Sequence, residues 1–345
     1  MMKKNMPFQL LILTYHRILP TPSAGAVAAP IFTRQLEYLT KRQWQFITAS
    51  ELAAIWAGRL SPPGERLIML TFDDGWADNR FYADPILARF QLRATLAVNT
   101  SLVNPEDRLR SQPANLIPSK AALELAVYGR GWDSFLTWPE LAELRDSGRW
   151  ELQAHGNSHL GTYRDLTHIK GFFPSRRHWT MEYALGEPPF TGAPAATFCS
   201  ILAAPRTRLA PELAAALKRP NSNEGWRKLC QSFSNPVVPL ETDAEFQRRI
   251  REDLMSCRDL LREKLQVNAT VMFWPWGHDS EASIAAAKEC GFELLMTMDK
   301  DAVTSPDQRW RLPRIAAPET YFRFRRRIAI FSRGPLRWLH RWFSR

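Results

Sequence analysis

The chain has 345 residues, 45% hydrophobic and 23% charged, which excludes a wholly disordered polymer and leaves room for one large α/β domain or two small ones. Forty-six lysines and arginines against 35 acids give a net charge of +11, yet from Arg309 to Arg345 eleven arginines face one acid, Glu319. Ten of the net charges therefore lie at the C-terminal end, and the rest is a nearly neutral body rather than a uniformly basic nucleic-acid coat.

Taken in chain order, Met1-Met2-Lys3-Lys4 and the apolar Phe8 to Leu13 imitate the start of a secretory signal. The run is short, meets Thr14-Tyr15-His16-Arg17 at once and has no small-residue cleavage site. Leu10 to Tyr15 is predicted as a first buried strand, and the protein is expected to stay unexported. Apolar spacing at Phe32, Leu36 and Leu39 predicts a helix to Gln43, with a strand from Trp44 to Thr48. Ser50 is expected to cap a helix through Trp56 that ends at Gly58. Leu67 to Phe72 reads as a strand covered on both faces. A helix over 79–90 and a strand over 94–98 follow.

Thr137-Trp138-Pro139-Glu140 is a capping box that opens a helix stopping at Gly148. Trp150 to Ala154 is predicted as a strand, Asp243 to Leu265 as a long amphipathic helix, and Ala269 to Trp274 as a strand. Ser280 to Cys290 is a helix, and Phe292 to Thr297 a strand. No stretch approaches the roughly 18 apolar residues of a spanning helix. The alternation predicts an α/β protein with a mainly parallel sheet, and a (β/α) barrel is favoured over an open doubly wound sheet. Gly161 to Leu240, rich in Pro, Gly, Arg and aromatics, breaks the rhythm and reads as an insertion. Cys199, Cys230, Cys257 and Cys290 have no metal-ligand spacing and are expected as reduced thiols.

Four strand ends carry chemistry-bearing residues. In Thr71-Phe72-Asp73-Asp74-Gly75 two adjacent acids end a buried strand. Either they form a turn with two solvated carboxylates, or they divide labour between holding a metal ion and acting as a general base. In His155-Gly156-Asn157-Ser158-His159 the two histidines are a surface pair or, with one carboxylate, a three-ligand site with open positions. Gly156 occupies the place of the glutamate that a metalloprotease HExxH would need. Phe273-Trp274-Pro275-Trp276-Gly277 is core packing at a turn or an aromatic wall for sugar rings. His16, ending the first strand, is structural or catalytic.

In this order and spacing the motifs resemble the polysaccharide deacetylase family, the NodB-homology or carbohydrate esterase 4 group. Thr71 to Gly75 looks like its first motif, His155-x-x-x-His159 like its second, and Trp274 to Gly277 like its third. The resemblance covers roughly residues 8 to 315, the insertion excepted. It is nearest to the branch with de-N-acetylases of biofilm poly-N-acetylglucosamine. Tyr15-His16 stands at the first strand, the third motif reads Trp-Pro-Trp-Gly, and the helix Asp243 to Leu265 leads into it.

The resemblance implies a distorted (β/α)7-type barrel over 1–315 with the insertion at 161–240 and a basic aromatic tail at 316–345. It implies Asp73 as general base, His16 as general acid, and Asp74, His155 and His159 as ligands of a divalent ion, zinc or else cobalt or nickel. Trp76, Trp274, Pro275, Trp276 and Gly277 would wall the sugar pocket. Gly156 departs from the usual Ser or Thr after the first metal histidine. The arginine that usually orients the base in the third motif is absent there, since Phe273-Trp274 stands in that region.

The implied activity is metal-dependent removal of the N-acetyl group from an amino sugar of a cell-surface polysaccharide or its lipid-linked precursor. A non-catalytic glycan-binding or scaffold protein on the same barrel and a deformylase of an N-formyl amino sugar are the alternatives. The tail, where arginine alternates with large aromatics, is an interfacial helix on anionic membrane or an outer barrel helix with a solvated basic face. No nucleic-acid motif accompanies the charge, and nucleic acid is not an expected partner. The expected place is the cytoplasm, peripheral on the inner face of the cytoplasmic membrane.

Overall fold

A computed structural model of the protein describes residues 8–113, 117–176, 181 and 189–333. Trp179, Tyr183 and Pro188 of the insertion and residues 334–345 of the basic end lie outside the described residues.

Eight strands form the main sheet: β1 (Gln9–Tyr15), β2 (Gln45–Phe46), β3 (Arg66–Asp74), β4 (Ala94–Val98), β5 (Trp150–Ala154), β6 (Val271–Phe273), β7 (Leu294–Met296) and β8 (Ile315–Ala316). The order is β7-β6-β5-β4-β3-β1-β8, with β2 beside the start of β3, and every pairing is parallel. The segment from Leu312 to Ala316 links the two edges. Leu312 bridges Met296, and Ile315 and Ala316 pair with Leu13 and Thr14. The sheet thus curls into a (β/α) barrel.

Strand alternation sorts the core into two sides. Leu10, Ile12, Leu67, Met69, Val271, Phe273, Leu294 and Met296 fill the barrel interior. Leu11, Leu13, Tyr15, Ile68, Leu70, Phe72, Leu96 and Leu152 face the outer helices. The run that imitates a signal is therefore a central strand, buried on both sides. All four cysteines are free.

The helices are α1 (Ala29–Lys41), α2 (Ala49–Trp56), α3 (Asp84–Phe90), α4 (Ser119–Val127), α5 (Trp138–Asp146), α6 (Pro211–Leu217), α7 (Asn223–Ser232), α8 (Asp243–Leu265), α9 (Glu281–Glu289) and α10 (Tyr321–Phe331). Two local expectations change. The cap of α2 is Thr48, whose N–H donates to Glu51 Oε2 at 2.8 Å, while Ser50 turns to Glu151. The stretch 79–90 is not one α-helix: a π-turn at Asn79–Ala83 precedes α3, where Pro85 lacks the N–H that would continue the regular pattern.

The insertion builds its own apolar cluster. Gly161–Asp165 pairs antiparallel with Thr197–Ser200, and Thr207–Leu209 with Val237–Pro239. Tyr163, Phe172, Leu213, Leu217 and Trp226 pack beneath α6 and α7, with Trp276 of the third motif against them. At the C-terminal end, α10 buries Phe324, Ile328 and Phe331 in the main core and is an outer barrel helix. Among the described residues no helix is long and apolar enough to cross a membrane.

Candidate active site

The site lies at the C-terminal ends of the strands. Along β3, Thr71 and Asp73 continue the inward row of Leu67 and Met69, so Asp73 points into the barrel mouth. Alternation alone would turn Asp74 outward beside Phe72. Its φ of +77°, in the left-handed region, breaks the alternation, and Gly75 follows with a φ of +87°. Such a conformation costs roughly 1–3 kcal/mol for a non-glycine residue and persists where the surroundings over-determine it. Here Trp76 Nε1 donates to Asp74 Oδ2 at 2.9 Å, and both acids line one cavity of about 820 Å³.

Asp73 accepts from Arg314 Nη1 at 2.7 Å, both side chains being buried. Arg314 also donates from Nε to the Thr297 carbonyl at 3.1 Å and lies 5.0 Å over the Phe273 ring. Burial pulls the Asp73 carboxyl up, but Arg314, His155 and His16 outweigh it and hold it below the usual carboxylate range.

Asp74 has a different role. Its Oδ1 is buried without a hydrogen bond and lies 3.3 Å from both His155 Nε2 and His159 Nε2. The three ligand atoms fall within 4.8 Å of one another. Burial raises Asp74 too, and the imidazoles of His159 and His155 more than reverse it. His155 Nδ1 meets the Phe273 carbonyl at 2.8 Å, which keeps a proton on Nδ1 and turns Nε2 toward Asp74. Burial lowers His155, but Asp73 and Asp74 hold it above its ordinary value. Burial takes His159 down to about 4 against the pull of Asp74, so it is neutral near pH 7.

One carboxylate and two imidazoles around an orphaned buried oxygen fit a divalent transition ion, each ring ligating in its neutral form, with positions left for water and substrate. One proton must move for this. Trp276 Nε1 donates to His159 Nδ1 at 3.2 Å, which places the neutral ring's proton on Nε2, and ligation through Nε2 requires the other tautomer.

The cavity also receives His16, exposed beyond the end of β1, together with Trp76, Trp276 and Gly277. Trp274 and Pro275 are not part of this wall. Trp274 continues β6 and is wholly buried in the main core, and Pro275 is buried behind it. The wall is therefore made by Trp276, with a φ of +63°, at the seam between barrel and insertion. Its indole fits because residue 161 is glycine: a Cβ there would meet Trp276 Cη2 at 2.3 Å. The insertion completes the rim with Lys170, Thr197 and Phe198.

Comparison with known proteins agrees with this arrangement. Residues 61–181, which hold both acids and both histidines, match the polysaccharide deacetylase family. The chain is 22% identical over 293 residues to the poly-β-1,6-N-acetyl-D-glucosamine N-deacetylase of Escherichia coli strain K12, covering 84% of this chain and 33% of that protein. It thus spans about a third of the length of the curated relatives it matches.

Two solved structures share the deacetylase fold. A de-N-acetylase from Aggregatibacter actinomycetemcomitans superposes with a TM-score of 0.59 at 17% identity, covering 89% of this chain and 94% of that one. The BpsB deacetylase domain from Bordetella bronchiseptica gives 0.59 at 20%, covering 90% and 97%.

Three features of the site escape the sequence reading. Arg314, counted there in the charge of the C-terminal end, supplies the guanidinium that the third motif lacks. It reaches Asp73 from the segment that closes the barrel. Its signal is position, an arginine between Leu312-Pro313 and the apolar Ile315. Arg17, next to His16, is buried and donates from Nε to Asp78 Oδ2 at 2.6 Å while lying 4.6 Å over Trp76. It thereby fixes the ring that holds Asp74. Asp253 of α8 accepts the Asn157 N–H at 2.8 Å and steadies the loop between the histidines. Gly156 suits that loop, since its φ is +76° and a Cβ would come within 3.2 Å of Asp253 Oδ1. The signal for Asp253 is an acid three residues after Ile250 and seven after Phe246, on the apolar face of α8.

Proposed function

We propose that the protein hydrolyses the N-acetyl group of an amino sugar in a cell-surface polysaccharide or its lipid-linked precursor, with a divalent ion, zinc or else cobalt or nickel, held by Asp74, His155 and His159. The observation that carries this is the division between neighbouring acids. Asp73 is bound to a buried arginine, and Asp74 lies between two imidazoles.

A divalent ion at Asp74, His155 and His159 supplies Lewis acidity for the amide carbonyl and acidifies water. Asp73, kept ionised by Arg314, accepts the proton of the attacking water. Oxygen bonds to the acyl carbon, and the carbon–nitrogen bond breaks. His16 at the cavity edge delivers a proton to the leaving amine, so that acetate and the free amino sugar are the products. Trp276 offers its indole face to the sugar ring. The inner face of the cytoplasmic membrane is the proposed location.

Mass spectrometry of N-acetylated glycans and lipid-linked sugars after incubation with metal-loaded protein tests the reading. Loss of acetyl from one substrate class supports it. Loss of formyl from an N-formyl sugar alone would replace acetyl by formyl. No release of acyl groups from any substrate by metal-loaded protein would favour a glycan-binding scaffold.

A further inference from the structure

The opposite end of the barrel carries a second feature. Gln9 opens β1 and Arg66 opens β3, so both mark the N-terminal ends of the strands, away from Asp73 and Asp74. A groove of about 510 Å³ there is lined by Arg42, Arg66, Arg325, Arg326 and Arg333. Among the described residues none of these five forms an ion pair with a carboxylate, although the adjoining hollow includes Glu37 beside Lys41. Three are seated on rings instead. Arg66 lies 4.5 Å over Trp44, Arg42 lies 4.8 Å over Tyr38, and Arg325 lies 5.6 Å over Tyr38. Ring faces fix the guanidinium planes without consuming their five N–H donors. Guanidiniums held together without acids repel one another until an anion joins them.

The groove's edge carries Phe322, 75% exposed on the solvent side of α10, whose opposite face is spent on the core. A large aromatic ring among arginines is the composition of a surface that meets the headgroup region of a bilayer. The chain continues past Arg333 in the same composition, with Arg337, Trp338, Arg341, Trp342 and Phe343, all outside the described residues.

We propose that this underside docks on an anionic lipid bilayer, its five arginines taking lipid phosphates and Phe322 entering the interface. Docking of this kind is independent of the chemistry at the other end. Its consequence for substrate rests on the amidohydrolase reading. β3 runs nine residues from the groove to Asp74, which, for a strand tilted as in a barrel, places the pocket roughly 20 Å from the groove along the barrel axis. A docked enzyme works on the polysaccharide, or on those sugars of a lipid-linked precursor that stand off the membrane, and not on the one sugar joined directly to the lipid.

The test is co-sedimentation of the full chain with vesicles of phosphatidylcholine mixed with phosphatidylglycerol, and with phosphatidylcholine alone. Deacetylation of a soluble glycan is assayed on the same preparations. The wild type is expected to bind the anionic vesicles only, and less as salt rises. In R326E/R333E binding falls by about tenfold or more, and F322S weakens it further, with the glycan assay unchanged. Equal binding by wild type and R326E/R333E, or equal binding to neutral vesicles, overturns the proposal. So does binding of inorganic phosphate or duplex DNA by the same arginines without vesicle binding. Loss of glycan turnover in the wild type with vesicle binding intact would refute the enzymatic reading alone.

Discussion

At the C-terminal mouth of the barrel Asp73 meets Arg314 at 2.7 Å and Asp74 lies 3.3 Å from two imidazoles, whereas at the N-terminal end five arginines surround a groove with no ion-paired carboxylate among the described residues. The difference follows from burial. An ion taken out of water costs several kcal/mol unless a partner offsets it, so charge inside the mouth persists only in matched sets with fixed geometry. Arg17 with Asp78 and Arg110 with Glu140 obey the same rule around the site. Exposed arginines escape the penalty and remain available to a partner outside the molecule. One residue type thus pairs with a buried acid at one end and presents a surface at the other.

The largest effect is expected where the matched set does chemistry. Asp73→Asn keeps the shape of the side chain and removes its capacity to take a proton. The turnover number should fall by about 10²–10⁴, while metal analysis still finds one ion per chain. A variant with unchanged turnover would remove Asp73 as the base. A variant without metal would mean that the two acids do not divide their roles.

Arg314→Gln tests the pairing itself. Without the guanidinium, burial acts on Asp73 against only the histidines, and its pKa rises. The acid limb of the pH–rate profile should then move toward neutral pH. Each unit of that movement costs on the order of tenfold in rate below the new pKa, with partial recovery in alkali. A profile displaced downward without moving would assign Arg314 a purely structural role. The variant also leaves a buried carboxylate unpaired, so a lowered thermal midpoint should accompany the kinetic change.

Arg314 shows where sequence reading stops. The strand ends carrying Asp73, Asp74, His155, His159 and His16 are legible because periodicity and turn residues locate them without tertiary information, and the parallel sheet follows from the same alternation. Charge counting places Arg314 with Arg325 and Arg326, since a sum over a segment is blind to burial. The structure separates them: Arg314 is enclosed by the closing segment of the barrel, 241 residues from its partner Asp73. Trp274 and Trp276 are alike in sequence, and only the backbone beyond β6 sends one into the core and the other to the cavity. The insertion resists for a related reason, because its short strands pair across 28 to 39 residues and leave no periodic trace.

A smaller effect is expected at the join between the candidate metal ligands and the wall. Binding of an ion through His159 Nε2 would require the His159 proton on Nδ1, where the Trp276 N–H now donates, so the indole would have to give way. Titrating metal-free protein with zinc should shift tryptophan emission in the wild type, and this change should be absent in Trp276→Phe. An identical emission change in both proteins would place the responding indole elsewhere. His155→Ala should abolish stoichiometric binding in either background.

The smallest effect concerns a buried acid of α8, Asp253, that has no close cation. Burial pushes the Asp253 carboxyl up to about 7 from 3.8, with the Asn157 N–H and Arg249 opposing only in part. Over this interval the folded protein keeps a proton that the unfolded chain has released. The contribution to stability is therefore complete below the ordinary value and is lost as pH rises through about 7. Asp253→Asn retains an oxygen for the Asn157 N–H and has no proton to lose. Between about pH 5 and pH 8 the urea-unfolding free energy of the wild type should fall relative to the variant by about 2 kcal/mol. Parallel pH dependence in the two proteins would show that Asp253 ionises as an ordinary carboxylate. The rule that charge at the mouth is matched would then extend to α8, with Arg249 as the partner.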